Sequence, residues 1–367
     1  MAMLPFAELR AQNIPAWGTD STLDIACWNI EWFGSSGNGP SNNITQLKNA
    51  VAVIKKSDAD VWGLCEISTA AYWDSLLKNL PEYSGAISEW SQEQKTALIF
   101  KKSQFRFLYQ RHILAVNDYD FANGRLPLEV ALETTLNRRK DTLYILVIHL
   151  KANTGSTSEK LTSYNRRKNS SDAMRNFMLQ NKWKKYMVLG DWNDDVDKSI
   201  YNNLASPFSN TVSDTANFLF TTSSLSAKGS SSTVSYSEMI DHHLISKTMK
   251  PFYIDASATT VNMQLYITQY SNTTSDHYPV FSRFKQNLAA QNQQSAGTSQ
   301  FSAQYSFDGT TLTCSAEQTV SATVYDINGR LLKTNHTNAI SLEDLQGMMI
   351  VEFKTAKGMV ARQMIMR

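Results

Sequence analysis

With 367 residues the chain is too long for one small domain and has room for two. Hydrophobic residues at 42% and aromatics at 11% suffice for buried cores, which excludes a disordered or fibrous protein. Lys+Arg 35 against Asp+Glu 33 leave a formal charge of +2, so whole-protein attraction to polyanions is weak and nucleic-acid binding has to come from local patches.

From about Thr22 to Arg283, short apolar runs alternate with longer helical stretches. The runs Leu23–Trp28, Val61–Cys65, Thr96–Lys101, Phe105–Tyr109, Leu128–Leu136, Leu143–His149, Tyr186–Leu189, Met239–Ile245 and Val280–Phe284 are rich in Val, Ile and aromatics and read as strands. The stretches Ile44–Lys56, Ala71–Lys78, Ser158–Gln180 and Asp197–Ala205 read as helices; in the first, Ile44, Leu47, Ala50, Val51 and Ile54 recur at helical spacing. Strands and helices mixed without strict alternation predict α+β layers, with helices outside a sheet core. Ser223–Ser237 is Ser-rich, lacks apolar periodicity and reads as a loop.

Asn287–Gln300 holds hardly any charge or bulk and reads as a linker. Beyond it, Thr319–Tyr325, Arg330–Lys333, Met349–Lys354 and Met359–Met366 alternate as short strands, with Asn328-Gly329 a hairpin signal between two of them. The expected organisation is an N-terminal extension over 1–21, a catalytic domain over 22–286, a linker over 287–300 and a small all-β sandwich over 301–367.

Arg138-Arg139-Lys140, Arg166-Arg167-Lys168 and Lys182 with Lys184-Lys185 are the basic clusters, each equally readable as a solvated face. Cys27, Cys65 and Cys314 are too few for a disulfide framework, and Cys27 and Cys65 read as small buried apolar residues. No apolar stretch approaches the roughly 20 residues that cross a bilayer, so stable membrane insertion is not expected. The opening MAMLPFAELRAQNIP shows neither a basic n-region nor a long apolar segment, so no signal peptide is legible in it.

The chemistry lies where the apolar runs end. Asp191 and Asn193 follow Met187–Leu189 two residues apart, and Gly190 permits a sharp turn before them. A carboxylate beside a carboxamide suits an attacking water, the acid accepting a proton and the amide orienting oxygen; the alternative is an Asx turn closing a strand. Glu66 ends Val61–Cys65 and Glu31 follows Asn29 by two; such carboxylates suit a hard divalent cation, although a strand-end Glu is also at home in solvent. Asn29 can hold a phosphate oxygen or fix the ligating carboxylate. Asp276-His277 precedes the last strand, and a buried Asp241 bonded to one imidazole nitrogen of His277 leaves the other for phosphate or water. If that strand alternates, Asp241 and His243 face one way and His242 the other, and both of these histidines read as structural. His149 ends Leu143–Ile148, with Lys151 on the same side; imidazole there suits a leaving oxygen or a phosphate, or is a structural histidine.

Together WNIE, GLCE, IHLK, GDWND, IDHHLIS and SDHYP, over roughly Leu23–Lys285, resemble the endonuclease/exonuclease/phosphatase superfamily: deoxyribonuclease I, abasic-site endonucleases, inositol polyphosphate 5-phosphatases and neutral sphingomyelinases. The resemblance implies a four-layer α/β sandwich of two packed sheets flanked by helices and Mg²⁺-dependent phosphoester cleavage, with Mn²⁺ or Ca²⁺ as alternative ions. It makes Glu66 the main metal ligand, with Glu31 and Asp276 near the metal. Asp191 then activates water, Asn29 and Asn193 position phosphate, and Asp241 pairs with His277. His149 matches a second histidine of the deoxyribonuclease I-like branch, whose partner acid lies in an Arg-Glu-Pro motif; here Arg125-Leu126-Pro127 keeps the Arg and Pro but not the acid. Arg125 and Lys151 are expected on substrate phosphate.

Val324–Arg367 resembles the C-terminal sorting domain of the type IX secretion system, which implies a secreted or outer-membrane-surface protein handled by that machinery. The expectation is a secreted, monomeric, metal-dependent nuclease acting on DNA or RNA. The rivals are a phosphatase or sphingomyelinase on inositol phosphates or lipid headgroups, and a catalytically inactive adhesion protein.

Overall fold

In the computed structural model, TLDIACWNIEWF forms β1 (Thr22–Phe33), buried on both faces along most of its length, as expected of a strand in the middle of a layered sheet. Residues 14–136, 139–286, 305–314, 319–326, 331–355 and 360–366 are described. The expected linker 287–300, the Asn328-Gly329 turn, Arg138 and most of the 1–21 extension lie outside them. The chain divides into two compact units, Met1–Ala289 and Ala290–Arg367.

In the first unit β1 runs parallel to β2 (Val61–Ile67). The crossover is α1 (Asn43–Ser57), opened by an Asn42 side chain accepting from Thr45 N and closed at Asp58 in the left-handed conformation. With α2 (Ala70–Asn79), β3 (Tyr83–Ile87), β4 (Lys95–Lys101), β11 (Thr259–Thr260) and β12 (Val280–Lys285), this half builds a six-stranded sheet in the order β11-β12-β1-β2-β4-β3. The other half repeats the device. Here β7 (Arg139–His149) is parallel to β8 (Lys185–Asp191), with α3 (Thr157–Gln180) as crossover and a Ser156–Glu159 capping box at its start. Joined by β5 (Arg106–His112), β6 (Leu128–Leu136), β9 (Phe218–Phe220) and β10 (Asp241–Ser246), it forms a second six-stranded sheet in the order β5-β6-β7-β8-β10-β9.

The sheets pack face to face. Ile25, Cys27 and Leu98 of one and Val130, Ile145 and Met187 of the other belong to one buried apolar cluster. Burying each such side chain stabilises by about 1.5–3 kcal/mol. Separate clusters lie between the first sheet and α1/α2 and between the second sheet and α3. The expected four layers are present. No helix among the described residues is long and apolar enough to cross a membrane.

Some local expectations need correction. Asp197–Ala205, expected as a helix, is a turn-rich loop closed by Ser199 N on Leu204 O at 2.8 Å. The Asp194 carboxylate takes Ser199 Oγ at 2.8 Å and Ile200 N at 2.7 Å, pulling the chain into a loop that a helix would forbid. The expected loop Ser223–Ser237 begins with a short helix, Ser223–Ala227. Strands β3, β9 and β11 carry too few β-branched or alternating residues to be read from sequence, and owe their pairing to neighbours already in place.

The second unit holds a three-stranded sheet of β13 (Tyr305–Phe307), β14 (Thr311–Cys314) and β17 (Ala339–Ser341). A four-stranded sheet of β15 (Thr319–Asp326), β16 (Leu331–Asn335), β18 (Met348–Thr355) and β19 (Val360–Met366) accompanies it. Leu312, Val324, Ile340, Val351 and Phe353 form its core.

Candidate active site

Strand register brings the polar chain segments to one rim. In the parallel pair β7–β8, His149 is level with Asp191, and in the antiparallel pair β8–β10, Asp191 is level with Asp241. In the other sheet Asn29 is level with Cys65, one residue before Glu66, and β12 begins beside Cys27, leaving Asp276-His277 just above it.

Asp191 is the hub. Its Oδ2 accepts from Asn29 Nδ2 at 3.1 Å and lies 3.5 Å from His149 Nε2 and 3.9 Å from His277 Nε2. Its Oδ1 accepts from the Asn193 backbone N at 2.8 Å. Gly190, at φ +136°, allows this turn: a Cβ there would sit 2.1 Å from Ile148 O. His277 Nδ1 is 2.8 Å from Asp241 Oδ2, and Asp241 is fully buried. Asn29 Nδ2 also donates to Glu66 Oε1 at 3.0 Å, while Trp32 N donates to Glu66 Oε2 at 2.9 Å. Asn29, Glu66, His149, Asp191, Asp241 and His277 are thus drawn together.

Asn193 plays a different part from the one expected. Its Nδ2 is spent on Leu150 O at 3.1 Å, so it ties the β7 end to the Asp191 turn. Lys151 and Arg125 line the cavity beside the hub, with Arg125 Nη1 on Gln94 Oε1 at 2.7 Å and Nη2 on Leu150 O at 2.9 Å. His242 and His243 are fully buried: His242 bonds Thr222 Oγ1 on one side of β10 and His243 bonds Ser282 Oγ on the other. Arg166 and Arg167, readable as a solvated face, are buried instead. Leu126, where the related motif has an acid, is fully buried, and among the described residues His149 Nδ1 has no hydrogen-bond partner.

Backbone strain gathers here. Glu31 (φ 46°), Trp32 (φ 46°), Glu66 (φ 65°) and Asn193 (φ 54°) all lie in the left-handed region. Each such residue costs on the order of 1–3 kcal/mol and persists only where its surroundings hold it. Gln46 is one holder: its Nε2 donates to Ile30 O, Glu31 O and Thr274 O, and its Oε1 accepts from Gly34 N. Ser275 is another, donating to Asn29 O at 2.7 Å and accepting from His277 N at 2.9 Å. Trp28 Nε1 and Tyr270 Oη both donate to His277 O. Sequence reasoning missed these supports; only the Ser two residues before His277 left a trace, as the spacing of a side-chain-capped turn.

The charges are arranged unevenly. Burial pushes the Asp191 carboxyl up to about 7, with the His277 charge pulling the other way and Asp241 adding to the rise. Burial also raises Glu31 to about 7, reinforced by Asp276 and Glu66. For His277, burial opposes the charged form, but Asp241, Asp191 and Asp276 outweigh it and hold the imidazolium well above the usual histidine range. His149 goes the other way, driven well below that range by burial and then by Arg125, His277 and Lys151. The rim therefore offers one charged and one neutral imidazole on either side of a single carboxylate.

Two groups of residues could ligate a cation. Asp191, Asp241 and His277 place one donor atom each within 4.8 Å of one another. The Asp241–His277 hydrogen bond, however, already uses the Nδ1 proton and one Asp241 oxygen. Glu31, Glu66 and Asp276 fit a hard divalent ion better. They are all oxygen donors, Glu31 Oε2 is buried without a hydrogen-bond partner among the described residues, and neighbouring carboxylates oppose its ionisation.

A buried acid–imidazole pair facing a second acid, beside carboxylates suited to a divalent ion, on the rim of a two-sheet sandwich, defines a phosphoester hydrolase site. Residues 26–277 match the Endonuclease/Exonuclease/phosphatase family, and the chain belongs to that family, whose members are metal-dependent phosphoester hydrolases. Solved structures share the fold. Humanised D. rerio TDP2 is 17% identical, with 72% of this chain and 99% of that one covered at a TM-score of 0.52. D. rerio TDP2 complexed with single strand DNA product is 18% identical, with 72% and 99% covered at 0.51. The human Nocturnin catalytic domain with bound sulfate anion is 18% identical, with 72% and 93% covered at 0.49. No curated protein sequence matches the chain.

Proposed function

We propose that the chain is a secreted nuclease that hydrolyses phosphodiester bonds of DNA or RNA with a divalent cation, Mg²⁺ in the first instance. The observation that carries the reading is the position of Asp191 Oδ2, within 3.1 Å of Asn29 Nδ2, 3.5 Å of His149 Nε2 and 3.9 Å of His277 Nε2. Asp191 accepts the proton of the attacking water, and Asn29 fixes the direction of its carboxylate. Charged His277, anchored by Asp241, donates to a phosphoryl oxygen and stabilises the charge that builds in the transition state. Neutral His149 binds the same phosphate from the opposite side. Glu66, Glu31 and Asp276 would hold the cation, which when bound supplies Lewis-acid neutralisation of the phosphate.

Support for nucleic acid over a headgroup comes from the single-strand DNA product held by D. rerio TDP2 on the same fold. Secretion rests on the likeness of Val324–Arg367 to a sorting domain. Digestion of plasmid DNA and of RNA, with Mg²⁺ and with chelator, tests the activity: cleavage that chelator stops is expected. Phosphate release from inositol phosphates without nucleic-acid cleavage would replace this reading with the phosphatase one. Fractionation of producing cells tests the location, and a purely cytosolic protein would refute it.

A further inference from the structure

Next to the hub, on the side of His149, lies a cavity of about 410 Å³ that no part of the mechanism above uses. None of Asp191, Asp241, His277 and Asn29 lines it. Its walls come from four separate places: Trp32 at the end of β1, Gln92 and Gln94 before β4, Arg125 before β6, and Lys151 and Arg166 from the β7 end and α3. Glu93 also lines it, exposed at the rim. The volume falls within the range of ligand sites.

Its polar groups are held in place and underused. Arg166 is only 6% exposed; its guanidinium lies 4.3 Å over the Tyr119 ring and donates to Tyr119 O and Asn123 Oδ1. Yet Arg166 Nε, Arg125 Nε and Gln92 Oε1 are buried with no hydrogen-bond partner among the described residues. Lys151 forms no ion pair there either, and its ammonium is pushed down by burial and then by Arg125, Arg166 and Arg167. A lone buried cation with an unmet donor costs on the order of 1–3 kcal/mol. Two such arginines beside a lysine, in one cavity, are the signature of an anion to be received.

We infer that this cavity binds a second phosphate of the substrate, next to the one attacked, with Arg166, Arg125 and Lys151 neutralising it and Trp32 packing on the adjoining nucleoside. The inference rests on the phosphodiesterase reading and narrows it: the substrate carries at least two neighbouring phosphates, as a polynucleotide strand does. Arg125 and Lys151 then serve the neighbouring phosphate rather than the reacting one.

Calorimetric titration with nucleoside 3′,5′-bisphosphate, nucleoside 5′-monophosphate and nucleoside 3′-monophosphate, at fixed Mg²⁺, tests this. The bisphosphate should bind the wild-type chain at least tenfold more tightly than either monophosphate. Arg166→Met should reduce that advantage to less than threefold, and Lys151→Met repeats the comparison should Arg166→Met fail to fold. Equal affinities in the wild type, or an advantage that survives both substitutions, would overturn the subsite. The two readings fail separately. A bisphosphate preference in a protein that cuts neither plasmid nor RNA keeps the subsite and removes the nuclease, whereas cutting without the preference removes the subsite alone.

Discussion

His277 Nδ1 sits 2.8 Å from the Asp241 carboxylate, which is fully buried, so the imidazole has one orientation and one proton position. Asp241→Asn keeps the shape but offers an amide where a charge was, and His277 loses the partner that holds it protonated. The expected loss in kcat/KM is about 10²- to 10⁴-fold, with the thermal midpoint little changed. Steady-state kinetics beside a melting curve check it.

Stability of the metal-free protein should fall as pH rises. The carboxyls of Asp191 and Glu31 titrate at about 7 in the folded chain, against ordinary values of 3.8 and 4.5. Between those limits the folded state holds protons that the unfolded state releases, so unfolding becomes easier with each step up in pH. His277, raised above its usual range, acts in the same direction at higher pH, while depressed His149 favours folding as pH climbs towards its ordinary 6.5. A divalent cation competes with the protons on Glu31, so the rise in Tm on adding Mg²⁺ should be larger at pH 8 than at pH 5.5. Scanning calorimetry at both values decides; equal rises would contradict the assignment of Glu31.

Arg167 and Asp194 form a fully buried ion pair at 2.8 Å, and Arg167 Nη1 also reaches Lys151 O at 2.8 Å. The pair ties α3 to the loop after Asp191 and to the end of β7. Arg167→Met leaves the Asp194 charge buried without its counterion and should cost about 3–5 kcal/mol. Urea denaturation at neutral pH measures it.

Gly190→Ala tests the turn that presents Asp191. At φ +136° with Ile148 O 2.1 Å from the new Cβ, the backbone has to move. A destabilisation of at least about 2 kcal/mol is expected, together with a loss of turnover, because the displaced residue is the neighbour of Asp191.

The rim was legible where strand period and register alone set geometry. Asp191 and Asp241 end runs of apolar residues, and once β8 and β10 pair they have no choice but to meet. The two sheets and most of their strands follow from the same runs. What stayed hidden depends on contacts across long stretches of chain. Ser275 reaches Asn29 O, Gln46 gathers Ile30, Glu31 and Thr274, and Arg167 finds Asp194; no local pattern announces any of these. The same cause misled the reading of Asp197–Ala205, whose local composition suits a helix until Asp194 claims Ser199 and Ile200. The Arg166-Arg167 cluster failed for a related reason: charge in a sequence says nothing of which helix face is covered.

The most direct test is the cleavage rate of a DNA or RNA oligonucleotide by the wild-type chain and by Asp191→Ala, both in Mg²⁺ and both shown to be folded. The account predicts metal-dependent cleavage by the first and a fall of about 10³-fold or more in the second. Equal rates in the two proteins would contradict it.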